Sequence, residues 1–322
     1  MSGVAPAVSV LVPVHDAGAF LRPTLDSVLA QSVGDLEVVV VDDGSTDGRV
    51  DEIAALREPR ICVLRQECRG PAVALNAAMA AARGRFLALL DQDDLWLPRK
   101  LEVHLRAFDE YPKADLTFSW CRFVDECGDD LGLPVRRWLG PISRDELLID
   151  FVVRTPSAIV VRREAAERVG GFDPKLPRVS DVDFALRVAA LRPDSCRAVP
   201  EVLTLYRRHT GQMSSHWREL RREWQQLLER MATCADGPSA AVRAAADSNM
   251  HRYFAWLATE RGELRAAVAL LAAGVRRAPG RALADPRNFL LGAAIAARGT
   301  LSCTTHEKVR RLVARAVRRL VE

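Results

Sequence analysis

Three stretches decide the reading: Val8-Ser-Val-Leu-Val-Pro-Val-His-Asp16, Glu37-Val-Val-Val-Val-Asp-Asp-Gly-Ser-Thr-Asp47 and Phe86-Leu-Ala-Leu-Leu-Asp-Gln-Asp-Asp94. Each is a short apolar run that breaks into acids and turn formers. Residues 8–12, 37–41, 61–64 and 86–90 are predicted strands. Between the first two, Leu21, Leu25, Val28 and Leu29 recur at helical spacing, and 51–56 and 72–82 carry helical signals further on. Such alternation produces a mainly parallel sheet flanked by helices, with right-handed crossovers placing successive strands side by side.

The rest of the chain fits around this core. It has 322 residues, 49% hydrophobic and 27% charged, which excludes disordered, collagenous and polytopic membrane classes. The longest apolar run, 266–275, is half of what a spanning helix needs, and nothing at the N-terminus reads as a cleavable leader, so a cytoplasmic location is expected. Seven cysteines without a Cys-x-x-Cys spacing point to idle thiols rather than a disulfide framework or zinc site. The net charge of +4 conceals a split, −6 over residues 1–200 and +10 over 201–322. Loops rich in Gly, Pro and charge fill 125–141 and 170–177, and beyond about 215 the chain becomes Ala-, Leu- and Arg-rich. Residues 1–215 are therefore expected as the α/β domain and 216–322 as a C-terminal helical appendage.

In open parallel sheets, ligands bind outside the carboxyl ends of the strands. Acids stand there after three strands: Asp16, Asp42 and Asp43, then Asp91, Asp93 and Asp94. An Asp-x-Asp at a strand end suits a hard divalent cation with positions left for a diphosphate, though an acidic turn is as readily a solvated cap. No Gly-x-Gly-x-x-Gly follows the first strand and no Gly-x-x-x-x-Gly-Lys occurs, which speaks against dinucleotide oxidoreductases and P-loop NTPases.

In this order and spacing, together with Gly170-Gly-Phe-Asp173, Ser180-Asp-Val-Asp-Phe-Ala-Leu-Arg187 and Tyr206-Arg-Arg-His-Thr-Gly-Gln-Met-Ser214, the motifs resemble the inverting family 2 glycosyltransferases of bacterial surface-polysaccharide type. The resemblance covers about two thirds of the chain. It implies a GT-A fold, the nucleotide-diphospho-sugar transferase class of Rossmann-like α/β sheet. It implies a nucleotide-diphosphate sugar, a UDP-sugar first, as donor and a glycan or lipid-linked acceptor. Pro13, His15 and Asp43 fall where the family holds the nucleoside, Asp43 facing the base. Asp91 corresponds to the ribose-side acid and Asp93 to the ligand of Mn²⁺ or Mg²⁺. His209 is a second candidate metal ligand, and Arg207, Arg208 and Ser214 are weaker phosphate candidates. Trp96 stacks on a sugar or caps the core. The catalytic base expected from the family's Glu-Asp pair is Asp181, with Ser180 in the place of the Glu. Asp183 is the understudy, or a plain helix-start acid.

Two rival functions share these acids. A sugar nucleotidyltransferase needs a Gly-rich loop and a lysine near the first strand, which residues 10–16 lack. A catalytically impaired sugar-nucleotide-binding or scaffold relative draws support only from Ser180. Residues 307–322 form a basic amphipathic stripe with six basic residues against two acids. Such a helix lies on an anionic membrane surface or packs on its neighbours. No nucleic-acid partner is expected.

Overall fold

The computed structural model describes residues 5–133, 135, 137–213 and 216–300. Two compact units divide the chain: residues 5–130, 135–144 and 152–208 form one, and 131–133, 145–151 and the described residues from His209 onward form the other.

Among the described residues the first unit is built on nine strands: β1 (Val8–Val14), β2 (Leu36–Asp43), β3 (Ile61–Gln66), β4 (Phe86–Leu89), β5 (Leu95–Trp96), β6 (Leu116–Val124), β7 (Pro141–Ile142), β8 (Ile159–Arg162) and β9 (Cys196–Arg207). Their order is β3-β2-β1-β4-β8-β6-β9-β5, with β7 on the flank of β9. β3, β2, β1 and β4 run parallel, β8 is antiparallel to both β4 and β6, and β6 and β9 are parallel. The valines of β1 and all eight residues of β2 are buried, because helices cover both faces of this half of the sheet.

The helices of this unit are α1 (Leu21–Leu29), α2 (Arg49–Ala55), α3 (Pro71–Ala81) and α4 (Lys100–Glu110). After α5 (Arg144–Ile149), which passes mostly into the other unit, come α6 (Arg163–Arg168) and α7 (Ser180–Ala189). Leu21, Leu25 and Val28 of α1 meet Leu101 and Phe108 of α4 over Val8, Val10 and Val12. Successive strands are neighbours from β1 to β3, but β4 lies on the far side of β1, because α3 packs back across β1 and β2. The strand order thus reverses between β1 and β4. Open sheets with such a switch point bind ligands outside the carboxyl ends of the strands that flank it.

The second unit is helical: α8 (Trp217–Thr233), α9 (Ala240–Glu260), α10 (Leu264–Arg277), α11 (Pro279–Ala284) and α12 (Pro286–Thr300). α9 packs against α10, and Asp247 gathers Trp224 Nε1, His251 Nδ1 and Arg277 Nε at 3.1–3.2 Å. Asn249 Nδ2 donates to Ile149 O at 2.7 Å, tying α5 to α9. Among the described residues no helix is long and apolar enough to cross a membrane. The stripe 307–322 lies outside the described residues, as do Ser214 and Cys303; the other six cysteines are free thiols.

Candidate active site

The three acidic turns are tied to one another. Gln92 Oε1 accepts the N–H of His15 at 2.7 Å, and Gln92 Nε2 donates to His15 O at 3.1 Å. Thr24 of α1 donates to Gln92 O at 3.1 Å. His15 Nδ1 lies 2.9 Å from Asp43 O. Asp16, at φ 46°, accepts the N–H groups of Thr46 and Asp47 at 2.7 and 3.2 Å, and the Thr46 N–H holds its carboxyl below the usual range. Turns leave main-chain donors unpaired, and a short carboxylate is the side chain that reaches them. Gly44 is needed at the second turn: its φ is 77° and a Cβ would stand 2.9 Å from Cys68 N.

Pro13 is half-buried near the end of β1, and His15, two residues on, is exposed. Asp43 is 3% exposed, and its carboxylate faces its own chain. Oδ1 accepts Gln66 Nε2 and Arg69 N at 2.7 and 2.8 Å, and Oδ2 accepts Gly70 N at 2.8 Å. Cys68 Sγ also reaches Oδ2, at 4.0 Å, so all of the about four acceptor positions of this carboxylate face the 66–70 segment that leads into α3.

Asp91, Asp93 and Asp94 bring carboxylate oxygens within 4.8 Å of one another, Asp94 buried and the others half-buried. Asp94 is held from inside, by Thr155 Oγ1 at 2.7 Å and the N–H of Arg207 at 3.0 Å. The N–H of Asp91 donates to Ser157 Oγ at 2.9 Å, and Thr155 Oγ1 also lies 3.4 Å from Asp91 Oδ2. Burial, then repulsion from Asp94, Asp93 and Asp181, pushes the Asp91 carboxyl well above the usual range; burial and Asp93 push Asp94 to about 7. Crowded carboxylates of this kind are a donor set that fits a hard divalent cation, and Asp94 is the member whose two oxygens are both held from inside. Arg207 is buried with its guanidinium carbon 4.8 Å from the centre of the Phe20 ring, and among acids it feels Asp93 and Asp94 most.

Asp181 is half-buried in the first turn of α7. Burial lifts its carboxyl to about 6 against the pull of nearby N–H groups, and its charge acts on Asp91, so the two are electrostatic neighbours. Asp183 is otherwise engaged: Arg187 Nε donates to its Oδ2 at 2.8 Å, while the same guanidinium holds Val169 O and Gly171 O. From the other side Asn76 of α3 donates to Phe172 O at 2.7 Å and accepts Phe172 N at 2.8 Å. Gly171 has φ 69°, and a side chain there would collide with Asn76 Oδ1. The Gly-Gly-Phe-Asp loop is thereby fixed before it delivers α7.

Trp96 is 3% exposed and donates its Nε1–H to Ser157 O, so it caps the core and does not offer a face to a sugar. Arg208 closes the first unit with its N–H on Val124 O at 2.8 Å, and His209 is the first residue assigned to the second unit. The side chains the sequence did not single out are Gln92, Thr155, Ser157, Asn76 and Arg187. Only Arg187 carried a signal, its i+4 spacing from Asp183.

A parallel half-sheet reversing at β1/β4, with an acid turn at the reversal and a mixed extension beyond it, is the GT-A glycosyltransferase architecture. S. aureus TarS 1-349, solved with UDP-GlcNAc, superposes with a TM-score of 0.63 at 19% identity, covering 97% of this chain and 91% of that one. The mannosyltransferase PcManGT from Pyrobaculum calidifontis, solved with GDP-Man and Mn²⁺, gives 0.56 at 21% identity over 99% and 88%. The family model Glycosyl transferase family 2 matches residues 9–170, and the chain belongs to that family. The Escherichia coli UDP-Glc:alpha-D-GlcNAc-diphosphoundecaprenol beta-1,3-glucosyltransferase WfaP is 27% identical over 219 residues, 67% of this chain and 83% of WfaP. In other curated relatives the match takes up 41% to 60% of their length, so the chain spans about half of them.

Proposed function

We propose that the protein is a metal-dependent, inverting glycosyltransferase that moves a sugar from a nucleotide-diphosphate sugar, a UDP-sugar first, to a hydroxyl of a glycan or lipid-linked acceptor in cell-surface polysaccharide synthesis. The observation that carries the reading is that Asp181, with its carboxyl lifted to about 6, is an electrostatic neighbour of the acid cluster yet makes no part of it. The site therefore holds two kinds of carboxylate, one set crowded and one standing apart. A carboxylate standing apart beside a crowded set is placed to take a proton while the crowded acids hold charge.

Asp91 and Asp93 would hold Mn²⁺ or Mg²⁺. The cation's chemistry would be to neutralise charge on the leaving diphosphate. Asp181 takes the proton of the acceptor hydroxyl, whose oxygen forms the new bond to the anomeric carbon as the bond to the diphosphate oxygen breaks on the opposite face. One displacement inverts the sugar. Pro13, His15 and Asp43 line the nucleoside end, Asp43 by shaping the 66–70 loop against which the base would lie. The UDP-GlcNAc bound to TarS, the Mn²⁺ with PcManGT and the lipid-linked acceptor in WfaP's name support the donor, the cation and the acceptor class. A lipid-linked acceptor would place its action in the cytoplasm, peripheral at the inner face of the membrane, with 307–322 as the proposed contact to anionic lipid.

The test is a screen of nucleotide sugars for Mn²⁺-dependent hydrolysis and transfer, with the anomeric configuration of the product read by NMR. A product retaining the donor's configuration, or turnover only of a sugar phosphate with a nucleoside triphosphate, defeats the reading.

A further inference from the structure

Beneath the acid turn lies a lysine with no access to water. Lys100, in the first turn of α4, is 0% exposed, and its Nζ lies 3.2 Å from Ala158 O, 3.3 Å from Ser119 Oγ and 3.2 Å from His104 Nε2. The Trp96 ring centre is 5.2 Å away. Among the described residues no carboxylate is within ion-pair distance of it.

The hydrogen bonds around it have a direction. Thr204 Oγ1 donates to Ser157 O at 3.3 Å, so at the 3.2 Å contact with Thr204 the Ser119 hydroxyl is the donor, and Ser119 must accept from Lys100. Ala158 O only accepts. On the other arm Thr117 Oγ1 is placed to donate to Val160 O, which leaves His104 Nδ1–H donating to Thr117 at 2.8 Å and Nε2 accepting from Lys100. Three donors and no acceptor describe an ammonium. Burial opposes that charge and lowers its pKa to about 7, while the charge of Asp94 favours it. An apolar side chain would fill this space at less cost.

The arm through Ser119 and Thr204 ends on a functional part. Ser157 O receives Thr204 and Trp96 Nε1, and Ala158 O receives Lys100 itself. The same short turn carries the Thr155 hydroxyl on Asp94 and the Ser157 hydroxyl that accepts from Asp91 N. We propose that Lys100 is a positioning residue for the acid turn: by holding Ala158 O directly, and Ser157 O through Ser119 and Thr204, it sets where the 155–158 turn presents the two hydroxyls that orient Asp91, a cation-binding acid, and Asp94 behind it. The inference rests on the reading that Asp91 and Asp93 hold a divalent cation. Groups that orient metal ligands from behind are worth about 10- to 100-fold in metal affinity or activity.

The experiment titrates Mn²⁺ into the full-length protein without donor, by calorimetry and by electron paramagnetic resonance of the bound ion. Lys100→Met and Thr204→Val each lower Mn²⁺ affinity about 10- to 100-fold, and the double variant is no worse than the weaker-binding single, because both cut one chain. Thr117→Val cuts the other arm, equally buried but leading away from the acids, and keeps affinity within about twofold, since shape is preserved and Lys100 retains its other two partners. Where Lys100→Met does not fold, the comparison of Thr204→Val with Thr117→Val decides. Unchanged affinity in Thr204→Val, multiplying losses in the double variant, or an equal loss in Thr117→Val overturns the assignment. A wild type that binds no Mn²⁺ overturns the cation reading itself, and the role of Lys100 with it.

Discussion

Gln92 grips the main chain of His15 at both its N–H and its carbonyl, at 2.7 and 3.1 Å. The residue between the two acids of the Asp-x-Asp thus sets the geometry of the turn after β1, so the proposed nucleoside residues are built onto the proposed cation-binding turn. Gln92→Glu keeps the acceptor for His15 N but sets a carboxylate oxygen against His15 O, so it should perturb more than Gln92→Ala. Removing one such hydrogen bond costs about 1 kcal/mol. Gln92→Ala should lower unfolding free energy by about 1–2 kcal/mol and raise the donor KM more than it lowers kcat. Urea denaturation and initial-rate kinetics read both, and an unaltered KM in both variants argues against the coupling.

Asp181→Asn preserves shape and removes basicity. Transfer should fall by about 10²- to 10⁴-fold while nucleotide-sugar and Mn²⁺ affinities stay near wild type. The ionised carboxylate is the base, so with its carboxyl lifted to about 6 the wild-type rate should be full above that pH and fall as pH drops through it. A single-turnover pH profile, flat from 5 to 8 at fixed bound donor, removes Asp181 from the role.

Asp183→Asn weakens the grip of Arg187, which holds Val169 O and Gly171 O. The pair has one buried and one part-exposed partner, so the loss should be about 1–3 kcal/mol of stability, between exposed and fully buried pairs. Thermal denaturation reads it. A stable Asp183→Asn protein without transfer, beside an active Asp181→Asn, reverses the two roles.

Asp93→Ala should abolish metal-dependent donor binding with the fold unchanged by circular dichroism, because the neighbouring acids alone repel a diphosphate. Full turnover of wild type in EDTA sinks the cation requirement.

Local sequence was sufficient wherever one element carries both the signal and the chemistry. The apolar runs from Val8, Leu36 and Phe86 define their strands because burial on both faces demands continuous apolar residues, and the acids that follow them are at the strand ends by chain continuity alone. The placing of β4 beside β1 instead of β3 was not legible, since crossover direction depends on which face α3 covers. Local pattern did not separate Asp181 from Asp183, which only the family resemblance ranked: both are first-turn acids of one helix, and they part company because Arg187 reaches one and burial beside Asp91 governs the other. Asn76 sits 96 residues from the loop it clamps and Lys100 lies 58 residues from Ala158. Contacts at such separation carry no periodicity to read. They exist only once the sheet has folded and the cost of a buried polar group must be met by whatever partner the tertiary structure brings within reach.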